Sequence, residues 1–443
     1  MVGIEWTGEF ALWMALLADP LHARLQHRLS ALCLGILFAQ GRRTVASWLR
    51  AGGLGQEFKA YYYFLGSLGG RIGMPATRVL QIVWKRLQPQ GRILLALDDT
   101  PTKRFGPLVE GAGIHHNPTP GPSKAKWVYG HVWVTLAWVV RHPSWGTIGL
   151  PLVAKLYIRA KDIASLVPWY RWQFQTKLEQ AAELVEWAAS WLKYWTNCEL
   201  WVVADGAYAK QPFLRRAIAA GVTVVSRLRW DAKLFDLPPP RSGQRGRPRK
   251  YGPNRLYLDK RAVHPHGWST IKLELYGKMQ TKTYKTFLAT YRPAGGVIRV
   301  VLVCEDDGSW RAYFCTKSDA TVAEILTAVA DRAAIEQVFH DVKEVHGTGQ
   351  QQVRNIFANI AVYHLNLWMH TLIELWAWDR GHEELCDRSA SPWDDPARRP
   401  SHADRRRALR RYVLQEHFSR LTALRLLPKK IRALCTQLLA LAT

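Results

Sequence analysis

Cysteine is scarce in this chain and never paired. Six cysteines are scattered over 443 residues, at positions 33, 198, 304, 315, 386 and 435, with no Cys-x-x-Cys spacing. A zinc ribbon or a disulfide framework is therefore not expected, and a reducing cytosol suits the composition. Long apolar runs are missing as well. None approaches the roughly 20 residues that a membrane-crossing helix needs. The first residues carry Glu5 and Glu9 and no basic stretch, so a secretory signal is not expected. Internal repeats and long low-complexity tracts are absent. Acid is in short supply: 35 Asp and Glu stand against 61 Lys and Arg, for a formal charge of +26. Such an excess opposes compaction unless a polyanion is near, and nucleic acid is the commonest such partner. A ribosome-associated or merely basic protein is the plainer reading. A membrane-surface role is disfavoured, because the basic residues run along the whole chain and not along one amphipathic helix.

What is present divides into stretches of different period. Residues 1–88 read as helical. Leu21 to Phe38 has apolar spacing at three and four, and Arg42 to Arg50 reads as a short basic helix before Gly52-Gly53, an order compatible with a helix-turn-helix DNA reader. Residues 89–227 alternate strand and helix. Apolar runs end in Leu94-Leu-Ala-Leu97 and in Trp201-Val-Val-Ala204, with β-like runs at Trp127 to Val140 and Thr147 to Ile158 and helices at Trp172 to Lys193 and Lys210 to Ala219. Residues 228–318 carry alternating runs that suggest a mostly antiparallel β insertion. Helix returns over 319–380, chiefly Thr321 to Val345 and Gln352 to Trp378. Residues 381–443 hold a Pro- and Ser-bearing connector and a basic helix whose Arg405, Arg406, Arg407, Arg410 and Arg411 read as a DNA-facing or solvated helix face. The whole reads as a mixed α/β fold with helical regions at both ends.

Three acidic positions stand out. Asp98 and Asp99 follow one buried apolar run, Asp205 follows another, and Glu336 lies in a helical stretch. Two strands and a helix each delivering a carboxylate can build a cage for a hard divalent cation, which prefers oxygen ligands and keeps some of its waters. A pair of such ions can activate a nucleophile and stabilise a leaving oxygen in phosphoryl transfer. Each position also has a bland reading. A strand-terminal Asp often caps a turn, and Asp205-Gly206 could be only that. On a helix, Arg332, Glu336 and Lys343 fall on one stripe, with Glu336 about 40° and Lys343 about 20° from Arg332. That is also the pattern of a surface helix with an ordinary salt bridge.

Taken together, Asp98-Asp99-Thr100, Asp205-Gly206-Ala207-Tyr208 and Arg332-x3-Glu336-x6-Lys343 resemble bacterial insertion-sequence transposases of the DDE type, over roughly residues 90 to 370. The resemblance implies a ribonuclease H-like mixed-sheet core interrupted by a mostly β insertion, for which the interval between Asp205 and Glu336 leaves room. It implies Asp98, Asp205 and Glu336 as the catalytic ligands of Mg²⁺, with Mn²⁺ as a substitute. Asp98 is favoured over Asp99 because Thr100 fits an Asp-x-Ser/Thr motif. It gives Arg332 and Lys343 phosphate contacts. It further implies cleavage of transposon ends, joining of the freed 3′ hydroxyls to target DNA, terminal inverted repeats as the cognate DNA, a homodimer assembled on DNA, and a cytoplasmic, nucleoid-associated setting with no membrane. A stand-alone nuclease of similar fold and a non-catalytic DNA-binding descendant are the alternatives. The branch's signature begins with a Tyr three residues before the Arg, and this chain carries Val329 there.

Other residues invite a DNA role. Arg245-Gly246-Arg247-Pro248 resembles the core of an AT-hook, extended by Arg249 and Lys250; nonspecific phosphate contact is the expected use. Trp310 either stacks on a flipped base or is a buried strand residue. His115, His116 and His131 lack the partners of a zinc site and read as loop or core residues. Most of the 21 tryptophans are expected in the core or at interfaces.

Overall fold

The computed structural model of the chain describes residues 5–117, 124–240, 249–388, 391 and 393–421. The N-terminal apolar spacing folds as α1 (Gly8–Ala18), α2 (Ala23–Phe38), α3 (Val45–Ala51), α4 (Phe58–Gly69) and α5 (Gly73–Leu87). Thr44 and Ser47 form a capping box at the start of α3, so the basic segment begins as a well-ended helix that packs on α2. The period then changes. β1 (Arg92–Lys103), β2 (Gly113–His116), β3 (Trp127–His142) and β4 (Gly146–Tyr157) precede α6 (Ala160–Ile163) and α7 (Lys177–Trp195). β5 (Glu199–Ala204), α8 (Gln211–Ala219) and β6 (Thr223–Leu228) follow. After them come β7 (Leu234–Phe235), β8 (Arg255–Leu256), α9 (Leu258–Val263), β9 (Ser269–Leu275), β10 (Lys278–Tyr291), β11 (Gly296–Cys304) and β12 (Trp310–Cys315). The chain then runs through α10 (Val322–Asp331), α11 (Ala333–Glu344), α12 (Ile356–Ala377), α13 (His382–Leu385) and α14 (His402–Leu421).

All the strands share one sheet, ordered β2-β3-β1-β5-β6-β12-β11-β10-β7-β8, with β4 on β3 and β9 on β10. β3 runs antiparallel to both of its neighbours β4 and β1, whereas β1, β5 and β6 are parallel. The run β4-β3-β1-β5-β6 is the ribonuclease H-like core expected from the sequence. Its central strands are near-continuous apolar runs because helices cover both of their faces. On one face Leu95, Leu97, Val202 and Val224 join the main core with α7, α8 and α12. On the other, Ala96, Trp201, Val203 and Val225 pack with Ile335 and Phe339 beneath α10 and α11. The strands β12, β11 and β10 continue this sheet edge-on from β6, all antiparallel. The β-rich stretch therefore extends the core's own sheet. Gly149 of β4 seats α11 closely: a Cβ there would lie 2.8 Å from Val338 Cγ2 and 3.1 Å from the Ala334 carbonyl.

Three expectations change. Asp98 does not end its strand, because β1 runs on to Lys103 paired with the long β3. What ends at Leu97 is the parallel pairing with β5, where Leu97 faces Ala204. The helix expected over Thr321 to Val345 breaks at Arg332 into α10 and α11. Three of the five arginines of α14 are not on a DNA-facing or solvated face: Arg405, Arg406 and Arg410 are only 5%, 4% and 5% exposed. Arg406 donates to the carbonyls of Ile36, Leu37 and Ala39 at 2.9, 2.8 and 3.0 Å. Those carbonyls end α2, where they lack intrahelical partners and the helix dipole is negative. Among the described residues no helix is long and apolar enough to cross a membrane.

Candidate active site

Side chains alternate along a strand, and the two adjacent aspartates of β1 point to opposite faces. Asp98 shares the face of Ala96 and looks toward α11. Its Oδ2 accepts from Arg332 Nη1 at 2.6 Å, and its Oδ1 accepts from the Asp99 backbone N–H at 2.8 Å. Asp99 looks the other way. Its Oδ2 accepts from Lys177 Nζ at 2.7 Å and its Oδ1 from the Tyr208 hydroxyl at 2.9 Å. Asp99 is thus held by a lysine and a tyrosine, while Asp98 is paired only through a residue of the break between α10 and α11.

Arg332 connects the acids. Its Nη1 donates to Asp98, and its Nη2 donates to Glu336 Oε1 at 2.7 Å. Burial works against the guanidinium charge, but Asp98, Glu336 and Asp205 outweigh it and raise its pKa above the ordinary value. Glu336 sits in the first turn of α11 with its side chain 60% exposed, so this end of the site faces solvent. Asp205 directly follows β5 and is exposed, on the β5 face shared with Val203. Its charge reaches Asp98, Arg332 and Tyr208. Burial pushes the Asp98 carboxyl up to about 6. Arg332 and the Asp99 N–H pull it down, while Asp99 and Asp205 raise it further. The Tyr208 hydroxyl is pushed well up by burial and then by the neighbouring carboxylates.

Lys343 belongs to the same face by a different contact. Its Nζ donates to Thr100 Oγ1 at 2.6 Å, and burial lowers its pKa. Thr100 is two residues beyond Asp98 on β1, so α11 lies along the far half of that strand. The break at Arg332 means that Arg332, Glu336 and Lys343 are not three positions on one continuous helix, yet all reach this side of β1. Tyr276 at the β9–β10 turn joins the surroundings. It is 64% exposed, holds a left-handed backbone at φ 55°, and lies within the electrostatic reach of Arg332.

The remaining candidates are distributed more widely. Trp310 opens β12 opposite Cys304, half-buried and packed on the main core. β12 runs antiparallel to β6, so Trp310 stands toward the edge where β5 and β6 end. Arg249 and Lys250 are exposed outside regular structure, and Arg245 and Arg247 lie outside the described residues. His131 is a core residue whose Nδ1 accepts from Arg104 Nε at 3.0 Å. Sequence reasoning did not single out Lys177, which nothing in the local pattern of α7 marks. Tyr208 had a signal, three residues after Asp205.

The mixed sheet thus places Asp98 and Asp205 at the end of its β1–β5 parallel pairing, with Arg332 and Glu336 brought over Asp98. Comparison at the sequence level goes further. The family described as DDE superfamily endonuclease matches residues 16–290, a span that includes Asp98 and Asp205 and ends before Arg332, Glu336 and Lys343. The chain belongs to the DDE superfamily endonuclease family. No curated protein matches it. Among solved structures, it aligns with the piggyBac transposase synaptic complex with hairpin DNA over 97% of this chain and 81% of that one, at 9% identity and a TM-score of 0.40.

Proposed function

We propose that the protein is a DNA transposase that cleaves transposon ends and joins the freed 3′ hydroxyls to target DNA. Asp98, Asp205 and Glu336 are the catalytic carboxylates and hold Mg²⁺, with Mn²⁺ as a substitute. The observation that carries this reading is the convergence of Asp98 and Glu336 on one guanidinium, with the charge of Asp205 close by. Three hard oxygen donors around a positive charge suit a magnesium-class dication. When bound, such ions polarise phosphoryl oxygens and ease loss of a proton from an attacking water or hydroxyl.

The chain's own groups do the positioning. Arg332 neutralises Asp98 and Glu336 before substrate arrives; once those carboxylates are otherwise engaged, its planar fork is free to grip a phosphate. Lys343, tethered to Thr100, presents a point charge on the same face. Lys177 and Tyr208 hold Asp99 away from the site, which fixes the β1 backbone and the direction of Asp98. The partners are terminal inverted repeats and target DNA, with a homodimer assembled on the ends. Arg249, Lys250 and the neighbouring Arg245 and Arg247 add phosphate contacts, and Trp310 is the residue to stack on a base.

The test is cleavage of cognate ends by Asp98→Asn, Asp205→Asn and Glu336→Gln. Each variant is expected to bind DNA nearly as the parent does and to lose nicking by at least 10³-fold, on the order of the loss of a main electrostatic element of a phosphoryl-transfer site. Near-normal Mg²⁺-dependent nicking by any of them would defeat the assignment. Cleavage by the parent without strand-joined products would make it a stand-alone nuclease, and no cleavage with Mg²⁺ or Mn²⁺ a binding protein only.

A further inference from the structure

A second group of ligand-type side chains lies behind α11, buried where α12 and α14 meet it. His370 and Glu374 stand one turn apart on α12 and so share a face of that helix. His402 is the first residue of α14. One ligand atom from each of the three lies within 4.8 Å of the others, a grouping found once among the described residues. All three are at most 3% exposed, as is His346 beside them.

The group is bonded partly within itself and partly to outer partners, so a bound ion would take the place of the His402–Glu374 bond. His402 Nδ1 lies 2.6 Å from Glu374 Oε1, and His402 Nε2 lies 2.8 Å from His346 Nε2. His370 Nε2 is 3.7 Å from Asp341 Oδ2 of α11. Arg405 Nη1 donates to the other Glu374 oxygen at 2.5 Å. Metal-bound imidazoles commonly use their second nitrogen on a carboxylate or similar partner, and bound carboxylates are themselves hydrogen-bonded. Two further observations leave donor atoms and space for an ion here. His370 Nδ1 and His346 Nδ1 are buried with no hydrogen-bond partner, which native interiors avoid. A cavity of about 180 Å³ is lined in part by Gln337, Asp341, His370, Glu374 and His402, room enough for an ion with a water.

We propose that His370, Glu374 and His402 form a structural site for a transition-metal dication of the zinc class, distinct from the Asp98, Asp205 and Glu336 carboxylates. Two imidazoles and one carboxylate select such an ion over magnesium, which prefers oxygen throughout. Its donors come from α12 and α14, and Asp341 of α11 stands next to them. Metal binding would therefore clamp the C-terminal helix against the back of the helix that carries Glu336. The rings of His370 and His402 stack with centroids 4.1 Å apart and planes 19° apart, so loading requires one of them to tilt.

The experiment uses the full chain carrying Asp98→Asn, Asp205→Asn and Glu336→Gln, stripped of metals with a chelator and titrated with Co²⁺. The site predicts uptake of one equivalent, with intense visible bands of a four-coordinate nitrogen- and oxygen-ligated ion that Zn²⁺ then displaces. Adding His402→Ala or His370→Ala should abolish both uptake and bands. No uptake would overturn the proposal, and so would bands that survive both histidine substitutions. If those variants fail to fold, X-ray absorption on the zinc-loaded parent decides: imidazole scattering supports the site, and an all-oxygen shell refutes it.

Discussion

Asp98 and Asp99 differ by one position in the chain and by a whole face of the sheet. The strand's alternation turns Asp98 to Arg332 and Asp99 to Lys177 and Tyr208. The sequence marked both acids as following a buried apolar run, and the Thr100 offset of the family motif favoured the first. It could not mark Lys177, because that contact joins two segments far apart in the chain. The raised Asp98 carboxyl has a consequence for pH. Its proton competes with a bound cation, so the Mg²⁺ concentration giving half-maximal nicking should rise as pH falls through about 6. The rise should approach tenfold per pH unit below that point. Mg²⁺ titrations of nicking from about pH 8 to about pH 5 check this. Stability has the matching sign. A carboxyl whose pKa is higher folded than unfolded contributes most below its unfolded value and loses that contribution as pH rises through about 6. Without divalent ions, the parent should therefore lose stability relative to Asp98→Asn over that window, by on the order of 2–3 kcal/mol, read from thermal melts across pH.

At the level of elements, the C-terminal helices hold most of what differs from the sequence reading. The apolar period marked helix over Thr321 to Val345, but the break at Arg332 depends on α10 and α11 packing separately on the sheet. The Gly149 contact then fixes how near α11 comes to β4. On α14, five arginines in seven positions look like a solvated face. Arg406 instead donates to the carbonyl end of α2, and its burial, with Arg43, Arg410 and Arg407 nearby, pushes its pKa down to about 9. Charge density in one segment says nothing about which distant helix end it will meet. Arg406→Met should leave three buried carbonyls without this donor and cost roughly 2–4 kcal/mol in urea unfolding. Arg407→Met, on the more exposed side of the same helix, should cost less than about 1 kcal/mol.

Across the whole molecule, the +26 charge is divided between two places. Part is internal, as in Arg104, Arg405 and Arg406, and the rest lies nearer the surface. If the exposed share meets phosphate, DNA affinity should fall steeply with salt. For six to ten contacts the loss is about 10³ to 10⁵ between roughly 50 and 200 mM. A flat salt response in a filter-binding or anisotropy series would contradict a phosphate-driven interface.

The elements of the core and their order were already legible in the linear pattern, because burial of a strand or a helix face writes a local period into its residues; the acidic positions were singled out only through their resemblance to a family motif. Which aspartate faces the site, where the helix before Glu336 breaks, and which arginines are spent inside could be known only once the chain was folded. Those outcomes rest on contacts between segments hundreds of positions apart, such as Arg332 with Asp98 and Arg406 with Ile36, and no local period encodes them.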